Sequence, residues 1–222
     1  MHRRIAITLL SAILLGSCKP ESRIDLSTLH LNEQVKDLVR WKSKGITVGM
    51  STVEVPDAMI LTNAVTDSYS FNNIPLDSAT VIFKLTSPAY RKKIQASMRG
   101  GGGHMEMERV SNADELSAML KKEQADGTIN GCLIEMTDAQ LPVIRNTLTG
   151  LYGQGIKNPN TTNGLYWKLD KENKLILLAP DYHFLILLNT TGISKTCYWD
   201  AMNGMLDLGG CNSEEYMKHL LD

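Results

Sequence analysis

Histidine, carboxylate and thiol side chains are the groups in this sequence able to carry chemistry, and their spacing sorts them. His104, Glu106 and Glu108 alternate, so on a strand all three point to one side. An imidazole with two carboxylates is a donor set for a divalent metal. The same alternation, with Met105 and Met107 between, is also what a strand with one wet face shows. No HExxH-type spacing accompanies it. Gly100–Gly103 follows Arg99 and invites a phosphate-loop reading. Phosphate loops, however, run from a strand into a helix N-terminus. These glycines are expected after a helix and before a strand, where they serve as a flexible connector. Cys132 and His183 offer a thiol and an imidazole, yet both stand in apolar, strand-like runs, and burial raises a thiol pKa rather than activating it. Glu106 with Asp138 would make an acid pair for glycan cleavage, a pair that any acid-bearing α+β domain offers. The sequence holds no GxSxG elbow and no Ser-x-x-Lys set with its usual companions. It calls for no metal and no cofactor, and it identifies no catalytic residue.

The first residues read as an address. Arg3 and Arg4 precede an apolar run, Ile5–Leu15, too short to span a bilayer comfortably. This is the basic head and apolar middle of a secretory signal, residues 1–17. It closes on Leu15-Gly16-Ser17-Cys18. The ending resembles the lipobox of bacterial lipoproteins, with Leu at −3, small residues at −2 and −1, and then Cys. Gly at −2 is accepted there, though it is not the commonest choice. The resemblance covers about eighteen residues and implies diacylglycerol on Cys18 with a further acyl chain on its amine. By the pattern of Gram-negative lipoproteins, Lys19 in place of Asp implies the outer membrane, facing the periplasm. Residues 18–27 are then a polar, lipid-anchored tether. Loss of Arg3 and Arg4 takes 23 basic residues to 21 against 24 acids, a charge of −3. A domain of that charge has no bulk attraction for anionic lipid, so the acyl chains would do the anchoring.

The compartment bears on the remaining cysteines. The periplasm permits disulfides. Cys197 and Cys211 flank a loop rich in Gly and Asp and form the natural pair. Such a bond stabilises by about 3 kcal/mol in the chain-entropy model. Cys132, in Ile129–Ile134, fits a buried strand as a small apolar residue.

Hydrophobic spacing supplies the elements. Leu31, Val35, Leu38 and Val39 predict a helix over Thr28–Lys44. Strands are expected at Ile46–Met50, Met59–Val65, Ser78–Leu85, His104–Val110 and Ile129–Met136, with a polar loop over Ser70–Asp77. Helices are expected from Ser87-Pro88 to about Met98, at Ser111–Gln124, and from Thr137 to about Thr149. Thr137 and Gln140 have capping-box spacing. Val81–Ile94 and Cys132–Arg145 share a weak βα pattern. After a long polar loop, Gly150–Gly164, come three strands of an antiparallel meander, Leu165–Leu169, Lys174–Ala179 and Tyr182–Asn189. The consecutive Leu185, Ile186, Leu187 and Leu188 mark the last as central and buried on both sides. A terminal helix over Ser213–Leu221 completes the chain. The expected fold is one α+β domain, residues 28–222. It has a mixed or antiparallel sheet, βα units in the middle and a C-terminal antiparallel meander.

Length and composition fit that reading: 222 residues, 43% hydrophobic, 21% charged, with a net charge of −1. A chain of this kind buries a core without needing disulfides. Its scattered Lys and Arg form no basic stripe for nucleic acid. The expected function is a non-catalytic binding or protein-interaction module at the cell envelope, with a protein partner in the periplasm. One such role is immunity against an antibacterial toxin. Tyr166, Trp167, Tyr182, Phe184, Tyr198 and Trp199 concentrate aromatics toward the C-terminus. Tyr198 and Trp199, beside Cys197, are the expected partner-binding anchors. The rival expectation is a cell-envelope enzyme, a peptidoglycan or lipid hydrolase using His104 with Glu106, or His183.

Overall fold

A computed structural model describes residues 23–41, 46–50, 58–63, 67–87, 107–158, 162–191, 197–200 and 204–207. The chain begins with β1 (Ile24–Asp25), a 3-10 turn (Leu26–Thr28) and one helical turn, α1 (Val35–Leu38). Next come β2 (Ile46–Met50), β3 (Ala58–Asn63), β4 (Tyr69–Phe71), β5 (Ile74–Pro75) and β6 (Thr80–Thr86). The middle holds β7 (Met107–Val110), α2 (Ala113–Lys122), β8 (Ile129–Glu135), α3 (Gln140–Tyr152) and β9 (Ile156–Lys157). The last part holds β10 (Leu165–Leu169), β11 (Lys174–Ala179), β12 (Phe184–Asn189), β13 (Cys197–Asp200) and β14 (Gly204–Asp207).

Nine of these strands form one sheet in the order β7-β2-β3-β6-β8-β12-β11-β10-β9. Every neighbouring pair in it is antiparallel. The fold is therefore α+β with a C-terminal meander, β10–β11–β12, as the alternating and continuous apolar runs predict. β12 lies inside the sheet between β8 and β11, and Leu185, Ile186, Leu187 and Leu188 are all buried. β6 and β8, the strands of the two βα-like stretches, are antiparallel neighbours rather than a parallel crossover pair. α3 follows β8 as expected. The segments expected as helices after Ser87 and at Ser213–Leu221 lie outside the described residues.

α2 and α3 pack on one side of the sheet. Leu116, Met119, Ile144 and Leu148 join Val81, Phe83, Cys132, Ile134 and Leu187 in the main core. The opposite side buries Leu133, Tyr166, Leu175, Leu177, Ile186 and Leu188. Each such aliphatic side chain contributes roughly 1.5–3 kcal/mol when fully buried. Ile129 and Cys132 both belong to the main core although they stand three positions apart, and a regular strand would put them on opposite sides. A β-bulge resolves the conflict: Lys84 pairs with Gly131 while the next residue, Leu85, pairs with Ile129. Gly131 fits closely at this point. A Cβ there would lie 3.2 Å from the Leu187 carbonyl oxygen and 3.3 Å from Cδ of Lys84.

The N-terminal segment departs from expectation in two ways. The tether does not extend to Ser27, because Ile24 pairs with Tyr69 and Leu26 is fully buried. Nor, among the described residues 28–41, does the helix expected over Thr28–Lys44 extend beyond the single turn α1. Leu31, Val35, Leu38 and Val39 are all buried as their spacing demands, but the backbone finds distant partners. Val35 N–H donates to the Gly127 carbonyl at 2.8 Å, and Ile129 N–H to the Glu33 carbonyl at 3.0 Å. The Tyr69 hydroxyl donates to the Leu38 carbonyl at 2.8 Å. These bonds replace the intrahelical ones, so the same apolar stripe is buried without a helix.

The expected loop Ser70–Asp77 instead holds the tight hairpin β4–β5. Asn72 and Asn73 turn it at φ of 49° and 64°, the left-handed pair of a type I′ turn. Asp25 fastens this hairpin to the start of the chain. Its carboxylate accepts from Asn72 N–H at 2.8 Å, Asn73 N–H at 3.0 Å, Ser27 N–H at 3.0 Å and the Ser27 hydroxyl at 2.8 Å. Burial works to raise the Asp25 pKa, and these bonds overcome it, holding the carboxyl below its ordinary value.

Candidate functional site

The two turns of the meander share one conformation. Asp170–Glu172 and Pro180–Tyr182 are both 3-10 turns, closed by Asn173 at φ 49° and His183 at φ 58°. The repeat shows that the left-handed backbone of His183 is set by turn geometry rather than by chemistry at that residue. The second turn nevertheless presents functional groups. His183 is half-exposed, and its Nε2 lies 3.0 Å from Oδ1 of the exposed Asp138. The His183 carbonyl accepts from Met136 N–H at 2.8 Å, which fixes the turn beside the β8–α3 connection. Tyr182 is exposed and stacks on Phe184, with ring centroids 6.5 Å apart and 12° between planes. Asn163 Nδ2 donates to Asp181 at 2.9 Å on the same turn.

Asp138 reaches His183 because α3 starts where the Thr137–Gln140 spacing places it. Thr137 N–H donates to Oε1 of Gln140 at 2.9 Å, the reciprocal half of a capping box. Gln140 Nε2 also donates to the Asp77 carbonyl at 2.8 Å, tying α3 to the β5–β6 connection. An imidazole oriented by a carboxylate can move a proton. Among the described residues, no hydroxyl or thiol hydrogen-bonds the His183 ring, and no group of three or more His, Cys, Asp or Glu could hold a metal ion.

Cys132 and His183, weighed as a pair from sequence, are not brought together. Cys132 pairs with Leu187, whereas His183 bonds Met136. Met136 lies four positions beyond Cys132, a span of about 13 Å in extended chain. Cys132 is a fully buried free thiol, and burial pushes its pKa well above the ordinary value despite the charge of Lys84. Glu108 is exposed on the edge strand β7, and Nζ of Lys122 lies 3.5 Å from its Oε2. His104 and Glu106 lie outside the described residues, as do Cys18 and Cys211. Cys197, Tyr198 and Trp199 all stand in β13. This strand pairs only with β14 among the described residues, matching Cys197 with Asp207, Tyr198 with Leu206 and Trp199 with Met205. Of the other clustered aromatics, Tyr166 and Trp167 are buried.

No protein-family model matches the chain, and no curated protein or solved structure matches it. No helix among the described residues is long and apolar enough to cross a membrane.

Proposed function

We propose that this is a lipid-anchored cell-envelope protein that acts by binding a protein partner in the periplasm, without catalysis. Two features support the reading. The ordered signal ending at Leu15-Gly16-Ser17-Cys18 provides the anchor. We assign binding to the β13–β14 hairpin, and its separation from the main sheet among the described residues is the observation that supports the reading. It forms a two-stranded sheet of its own, so Tyr198 and Trp199 belong to no strand of the nine-stranded sheet among the described residues. A bond between Cys197 and Cys211 would pre-organise that hairpin and lower the entropy lost on docking. Neutralising a toxin that reaches the periplasm is one task such a module performs.

The test is affinity capture from detergent-solubilised envelope with the full chain, in wild-type, Tyr198→Ala and Trp199→Ala forms. A true anchor costs about 2 kcal/mol or more on truncation, roughly thirtyfold in affinity. Loss of one specific partner with unchanged Tm is the expected result. A large drop in Tm for Trp199→Ala, with capture by Tyr198→Ala intact, would show the hairpin to be structural.

A further inference from the structure

We draw no further inference here: the strongest candidate, the Tyr182–Phe184 stack at the β11–β12 turn with Glu135, Asp138 and Asp181 at the same end of the sheet, is an acidic cluster beside one aromatic pair, and nothing in the structure shows what covers it.

Discussion

Gly155 sits directly beneath the indole of Trp167: a Cβ built on the glycine would fall 2.7 Å from Cζ2 of the ring. The indole Nε1 donates to the Gly153 carbonyl at 3.0 Å, and Trp167 is 4% exposed. Trp167 thus locks the turn between α3 and β9, with Gly153 at φ 80° and ψ −168°, a conformation open in practice only to glycine.

Gly155→Ala should destabilise the protein by about 1–3 kcal/mol, since the ring or the turn must shift to admit the methyl. Gly150→Ala is the opposing control. Nothing lies within 4 Å of a Cβ built there, so the change should stabilise by about 0.5–1 kcal/mol through helix propensity. Urea unfolding of both variants checks the pair. Equal effects of one sign would contradict the geometry around Trp167.

Asp25 should give stability an acid limb. A carboxyl held below its ordinary value contributes stability above its unfolded pKa and loses it as pH falls through the folded one. The loss should begin near pH 4 and continue below it. Asp25→Ala removes the acceptor of four hydrogen bonds and should cost about 1–2 kcal/mol at neutral pH. Asp25→Asn should flatten the acid limb. Melting curves between pH 3 and 7 decide it, and a parallel acid limb in Asp25→Asn would assign the effect to other groups.

Cysteine chemistry should divide by position. Cys132 should resist alkylation until the protein unfolds, because it is buried and its thiol stays protonated. Cys197 and Cys211 should resist alkylation until reduced. Peptide mass mapping of protein purified from the periplasmic face, with and without reductant and denaturant, separates the two kinds of protection. Labelling of both Cys197 and Cys211 without reductant would reject the bond between them.

The anchor predicts a change in fractionation. Cys18→Ala should leave the protein unprocessed or release it from the membrane fraction. Unchanged membrane fractionation, with no lipid label on the wild type, would contradict the anchor.

What the sequence made legible was whatever depends on neighbours in the chain. The run Leu185–Leu188 announced a central strand because two-sided burial removes alternation. Thr137 and Gln140 announced the start of α3 because a capping box is a local bond. Residues 31–39 misled for the same reason. Their spacing correctly named the buried side chains, but not that Gln34 would bond Thr128, 94 residues away. Asn72 and Asn73 read as loop because the hairpin they turn has very short strands. The His183–Asp138 pair left no local mark, since it arises only when β8 and β12 lie side by side.

The wide sequence separation of the N-terminal contacts has a consequence for biogenesis. Ile24 bonds Ser68, Val35 bonds Gly127, and the Leu31 carbonyl accepts from Nδ2 of Asn189, 158 residues later. Contacts this distant form slowly, after the intervening chain has closed its loops. The segment from Ile24 to Val35 therefore takes its folded place only after strands as late as β12 have been made. Completion of the sheet thus depends on contacts that join the first described residues to the last strand of the meander.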